Sequence, residues 1–156
     1  MKYIFAIDAD TEKSGYAILD TEKRILSAVG KLPFFPLLEL MHQFRENTLF
    51  VIEKNWETTK NFHYAQSVAV ATKIANNTGR NQQTAILLAE YAENRKLTYY
   101  LQKPLLRRWI KGKISQQELK KVFDGYEIPD RTNQDERDAI LLAINAERAN
   151  KQLFKH

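Results

Sequence analysis

The chain has 156 residues, 44% hydrophobic and 11% aromatic, which is enough apolar material for the core of one domain, residues 1–156, and argues against disorder. It holds no Cys and three scattered His, which excludes disulfides, a thiolate zinc site and a cysteine nucleophile and argues against a His-based metal centre. A net charge of +5 and a pI of 9.3 point to a polyanionic partner; no signal-peptide pattern and no apolar run near the roughly 18 residues of a membrane span are found, so the expected location is the cytoplasm, with no membrane partner.

Tyr3-Ile4-Phe5-Ala6-Ile7-Asp8 opens the chain with five apolar residues closed by an acid. The run is too short for an ordinary helix and shows no alternation, so it reads as a central strand covered on both faces. The polar run Ala9 to Gly15 follows as a turn. Asp8 therefore falls at the carboxyl end of a central strand, where open α/β sheets place their ligands. Gly15–Asp20 and Arg24–Gly30 read as two further strands joined by a short polar turn, making an antiparallel meander. Pro33 and Pro36 open a helix whose apolar residues Leu37, Leu40, Met41 and Phe44 follow helical spacing. Leu49-Phe50-Val51-Ile52-Glu53 is a second short apolar run that ends in an acid.

The pattern is weakly helical from Phe62 to Ala75, is interrupted at Asn76–Arg80, and becomes a clear helix from Thr84 to Arg95. Leu97–Leu101 reads as a fifth strand. Pro104–Ile110 and Ser115–Phe123 read as two short basic helices, Pro129–Asn133 as a loop and Gln134–Asn150 as the last helix. Three antiparallel strands followed by strands alternating with helices predict an α/β fold: a five-stranded mixed sheet with helices on both faces.

The acids carry the functional signal. If the strands ending in Asp8 and Glu53 are parallel neighbours, both carboxylates lie at one sheet edge. Asp135 and Asp138 are three residues apart and share the core-facing side of the last helix with Leu142 and Ala146. Thr132 or Asn133 is the expected N-cap, so Asp135 also has a plain role as a first-turn acid favoured by the helix dipole. Glu136 lies off this face and Asp10 in the turn; both read as solvated acids. Carboxylates that converge repel one another, so a cation must sit among them. Oxygen donors without Cys or His suit Mg²⁺ or Mn²⁺, and a pair of such ions serves phosphodiester cleavage.

These residues resemble the RuvC Holliday junction resolvases. The resemblance rests on Asp8 in Phe-Ala-Ile-Asp, on Ser14-Gly15-Tyr16-Ala17, on Glu53 in Val-Ile-Glu-Lys-Asn-Trp and on Asp135-Glu136-Arg137-Asp138-Ala139. It runs over nearly the whole chain and, in size and divergence, is most like the short RuvC proteins of lactococcal phages, which would place the protein in a bacterial host cytoplasm. It implies a ribonuclease-H-like fold, catalytic and metal-binding roles for Asp8, Glu53, Asp135 and Asp138, two Mg²⁺ per site and no small-molecule cofactor. It also implies four-way-junction DNA as the partner, cut by a homodimer that matches the junction's two-fold symmetry. The family's base-contacting aromatic falls on Trp56; the alternative for that side chain is packing beside the sheet. This chain departs from the family in the loop Ala9-Asp10-Thr11, which lacks the usual Gly, in a longer stretch between Glu53 and Gly79, and in a reduced Gly79-Arg80 helix start.

Lys103 to Val122 carries seven basic residues and one acid, Glu118. That density favours phosphate contacts, which set affinity without reading sequence, over a merely solvated face. Arg107, Arg108, Lys111 and Lys113 are the candidates here, and Arg80 is a further one. Two other readings stay open from sequence: a ribonuclease-H-like nuclease acting on RNA–DNA hybrids or general DNA, and a branched-DNA-binding protein without catalysis.

Overall fold

The computed structural model describes residues 1–57, 67–104 and 113–150. β1 (Tyr3–Asp8) is the middle of a five-stranded sheet in the order β3-β2-β1-β4-β5. β2 (Ser14–Asp20) pairs antiparallel with β1, and β3 (Ile25–Leu32) antiparallel with β2. β4 (Thr48–Glu53) lies parallel to β1 on its other side, and β5 (Tyr99–Gln102) is parallel to β4. The expected mixed sheet is therefore present, with the meander on one side of β1 and the parallel strands on the other.

Helices cover both faces, which is why β1 reads as an unbroken apolar run. On one face Ile4 and Ala6 of β1, Ala17 and Leu19 of β2 and Val51 of β4 are buried under α4 (Gln134–Ala149) and α3 (Gln116–Val122). On the other, Phe5 and Ile7 join Ile18, Phe50 and Ile52 under α1 (Phe34–Gln43) and the C-terminal half of α2 (Val68–Asn94). Ile4, Phe5, Ala6 and Ile7 are all fully buried. Each large side chain among them contributes about 1.5–3 kcal/mol of burial, so β1 cannot shift register without exposing one whole set.

α2 corrects the expected break at Asn76–Arg80: one helix of 27 residues runs through that stretch. Gly79 sits on an open surface, where a Cβ would meet nothing within 4 Å. Glycine and asparagine inside a helix cost up to about 1 kcal/mol each. The buried anchors Thr84, Ala85, Leu88 and Ala92, together with the Ser67 cap that accepts from Val70 N–H, outweigh that cost. The weakly helical start expected from Phe62 falls partly on residues outside those described, and the expected helix Pro104–Ile110 almost wholly so. Among the described residues, no helix is long and apolar enough to cross a membrane.

Candidate active site

Strand register brings the first two acids together. Ile7 pairs with Ile52 across the parallel β1–β4 ladder, so Asp8 and Glu53, one step on, end the two strands side by side. Directly opposite residues share a sheet face. Asp8 pairs with Gly15, Gly15 with Lys31, and Glu53 with Gln102. One transverse row thus runs Lys31–Gly15–Asp8–Glu53–Gln102, in phase with Ala6, Ala17 and Val51 and so on the face covered by α4.

Lys31 reaches this row through an irregularity. The β2–β3 register shifts between Ile18 and Leu19, where Leu19 faces Leu26 but Ile18 faces Ala28. Ser27 is the extra residue. Without the bulge, alternation from Leu26 would turn Lys31 to the opposite face; with it, Lys31 stands beside Gly15.

Gly15 lets α4 approach. A Cβ built there would lie 2.5 Å from the Asp135 carbonyl oxygen and 3.0 Å from the Asp135 Cβ. The first turn of α4 therefore rests on the backbone of β2 next to Asp8. That turn is fixed by a capping box: Asn133 Oδ1 accepts from Glu136 N–H at 3.0 Å, and a Glu136 carboxylate oxygen accepts from Asn133 N–H at 2.8 Å. Asn133 is thus the cap, and Glu136, expected to be merely solvated, closes the box.

Asp138, one turn further on, is 8% exposed, and its Oδ1 accepts from Gln134 Nε2 at 2.9 Å. Gln134 is in turn held by Arg137, whose guanidinium also donates to the carbonyls of Ile114, at 2.9 Å, and Thr132. Neither Gln134 nor Arg137 stood out in the sequence. Their signal, a polar i, i+4 pair and a cation in the polar first turns of the helix, is legible only once the helix is docked.

Asp135 is ion-paired with Lys31. The Asp135 carboxylate holds the Lys31 ammonium above its usual range against some loss of hydration, and Asp10 and Asp8 add to the effect. Asp10 is more than a surface acid: its Oδ2 accepts from Asn81 Nδ2 of α2 at 3.0 Å, while Asn81 Oδ1 accepts from the backbone N–H and the hydroxyl of Thr11 at 3.0 and 2.7 Å. Asn81 thereby clamps the loop after Asp8 to α2. A cavity of about 360 Å³ opens there, lined by Asp10, Lys13, Lys31, Arg80 and Asn81 among others.

The structure therefore gathers Asp8, Glu53, Asp135 and Asp138 at one end of the sheet. With Asp135 turned to Lys31 and Asp138 held by Gln134, no three Asp, Glu or His side chains among the described residues stand close enough together to hold a metal ion. The chemistry of the four acids is that of hard-cation ligands: the donors are all oxygen, carried by two strands and one helix, and Asp135 already draws in the ammonium of Lys31 as a counter-charge. Gln102 adds to it, because its side-chain oxygen is buried and has no hydrogen-bond partner among the described residues.

Of the candidate DNA contacts, Arg80 is exposed on α2 at the cavity, and Lys113 is exposed beside Ile114, whose carbonyl ties it to the start of α4. Trp56 lies in a short 3-10 turn (Asn55–Glu57) after β4, half-buried against the core on the α1–α2 face. Arg107, Arg108 and Lys111 lie outside the described residues.

No protein-family model matches the chain, and no curated protein does. Among solved structures it is similar to Thermus thermophilus RuvC in complex with a Holliday junction substrate, with a TM-score of 0.58 at 14% identity, covering 97% of each chain. It is likewise similar to the fowlpox virus resolvase in complex with Holliday junction DNA, with a TM-score of 0.57 at 12% identity, covering 94% of this chain and 97% of that one. The chain has the RuvC-type, ribonuclease-H-like fold.

Proposed function

We propose that the protein is a divalent-metal-dependent endonuclease that resolves four-way DNA junctions by paired nicks. The observation that carries this reading is the row Asp8–Glu53 at the carboxyl ends of β1 and β4, beside the start of α4, which carries Asp135 and Asp138 and rests on Gly15. It is supported by the fold shared with two proteins whose structures hold Holliday junction DNA.

Asp8, Glu53, Asp135 and Asp138 would hold Mg²⁺, or Mn²⁺ in its place. When bound, such ions make a water nucleophilic at neutral pH and stabilise a departing oxygen. The residues of the chain do the positioning. Asp8 and Glu53 are placed by strand register, and Asp138 is held by Gln134 and Arg137, so these donors sit on strands and a helix rather than on loops. Cleavage forms a bond from the water oxygen to phosphorus and breaks the bond to the 3′ oxygen, leaving a 5′ phosphate and a 3′ hydroxyl. No covalent intermediate with the protein is needed.

Cations supply the hold on DNA. Lys13 and Arg80 border the cavity beside Lys31, and Lys113 lies near the start of α4, placing positive charge on either side of the carboxylates. Phosphate contacts of this kind fix orientation without reading sequence. Trp56 would present the exposed part of its ring to a base unpaired at the branch. A four-way junction is two-fold symmetric, so a homodimer presents two sites to two strands. The N-terminal half of α2 suits that interface: Val68, Val70 and Ile74 are 84%, 45% and 41% exposed on a helix whose buried residues, among those described, all lie in its C-terminal half.

The test is cleavage, side by side and with Mg²⁺, of a labelled four-way junction, a linear duplex and an RNA–DNA hybrid. Preference for the junction, with nicks on two opposed strands, is expected. Preference for the hybrid would move the protein to another ribonuclease-H-like activity, and binding of the junction without any cutting would leave a recognition module.

A further inference from the structure

We propose that Lys31 is a resident counter-ion at the carboxylate cluster, holding Asp135 until a divalent cation displaces it. This rests on the reading of that cluster as a metal site.

Three observations lead to Lys31. The first is its aim. A bulge at Ser27 re-phases β3 so that Lys31 stands on the α4 face, in the row with Gly15, Asp8 and Glu53. Bulges re-aim side chains, and this one turns a cation toward acids across the sheet edge. The second is its partner. Lys31 is ion-paired with Asp135, the cluster's most exposed placement on α4, with side chains 34% and 40% exposed. The third is its surroundings. Lys31 lines the same cavity as Asp10 and stands in one strand row with Gly15 and Asp8, so acids other than Asp135 lie on the same side of the sheet end.

One carboxylate cannot face both an ammonium and a metal ion at full strength, and two cations close together repel. A cation loading the cluster therefore competes with Lys31 for Asp135. The ammonium thus has two consequences. It relieves repulsion among Asp8, Asp10 and Asp135 when no metal is present, and it raises the cation concentration at which the cluster fills. Released from Asp135, Lys31 borders the cavity shared with Lys13 and Arg80, where its charge meets an incoming phosphate.

The experiment is calorimetric titration of the full chain with Mg²⁺, alongside the Mg²⁺ concentration that gives half-maximal thermal stabilisation. The parent is compared with Lys31→Met, Lys31→Gln, Asp135→Asn and the double variant Lys31→Met/Asp135→Asn. Both neutral substitutions at Lys31 should bind Mg²⁺ about two- to five-fold more tightly, the upper part of the range an exposed ion pair corresponds to. The double variant should match Asp135→Asn within about two-fold, because Lys31 acts chiefly through Asp135. Lys31→Gln keeps the test open should Lys31→Met fold poorly. Unchanged or weaker Mg²⁺ binding in the neutral variants, with a parent that does bind, overturns the role of Lys31 alone. A parent that takes up no Mg²⁺ overturns the metal reading of the cluster and this inference with it.

Discussion

Gly15→Ala is the smallest change that should separate the two halves of the site. The added methyl group would lie 2.5 Å from the Asp135 carbonyl oxygen, 2.8 Å from its carbonyl carbon and 3.0 Å from its Cβ. Ordinary contact between such atoms is about 3.5–4 Å, so the first turn of α4 must rise by roughly 1 Å. α4 cannot do this freely, since Ala139, Ile140, Ala143 and Ala146 are fully buried against the sheet. Overpacking of this kind costs about 1–3 kcal/mol. For a chain of this size that corresponds to a fall in Tm of about 2–12 °C. The larger effect should be kinetic. Asp135 would move away from Asp8 by a distance that costs on the order of 100-fold in rate for a positioned group. Thermal melts and single-turnover cleavage of a junction measure the two effects, and binding should remain within a few-fold of the parent. Gly79→Ala is the internal control: its methyl group meets nothing, so it should leave cleavage alone and stabilise α2 by up to about 1 kcal/mol. A Gly15→Ala protein with parental Tm and parental cleavage would refute the close approach of α4 as the device that completes the site.

Asp8→Asn, Glu53→Gln and Asp138→Asn should each abolish cleavage while leaving junction binding in place, read by gel shift and nicking on the same samples. If Asp135 is only a first-turn acid, Asp135→Asn should cost about 1 kcal/mol or less in thermal melts and spare activity, whereas loss of cleavage assigns it to the site. Arg80→Ala and Lys113→Ala, with Arg107→Ala and Arg108→Ala, should weaken binding to all sequences alike and reduce the slope of log affinity against log salt by roughly one unit per lost phosphate contact; an unchanged slope takes that residue off the DNA path. Trp56→Ala should cost less than the roughly 3–5 kcal/mol of a fully buried Trp, because the ring is only partly buried, and should impair junction cleavage beyond that loss. Fluorescence of Trp56 that ignores added junction would leave it a packing residue.

Much of this site was legible because its acids close short apolar runs. A strand buried on both faces has no pattern other than continuous hydrophobicity, so Asp8 and Glu53 announce their strand ends directly, and the spacing of Asp135 and Asp138 places them on one helix face. What remained hidden depends on long-range geometry. The direction in which Lys31 points is set by a bulge at Ser27, which no periodicity in β3 reveals. The tie from Asn81 to Asp10 and Thr11 joins residues about 70 apart in the chain. The run Asn76–Arg80 carries local signals for a stop, and tertiary anchoring further along α2 overrides them. Gly15 looked like the end of a turn, whereas its missing side chain is the contact surface for α4.

If Asp8 belongs to a metal-loaded nuclease site acting on branched DNA, its carboxylate and the metal are both required for cutting but not for binding. The most direct test is a four-way junction labelled on each strand in turn, incubated with Mg²⁺ and the parent or Asp8→Asn protein, with a chelator as control. Paired nicks at symmetric positions by the parent, lost with the chelator and lost in Asp8→Asn while the junction stays bound, are the predicted result. Cleavage by Asp8→Asn at the parental rate, or cleavage that persists in the chelator, would contradict it.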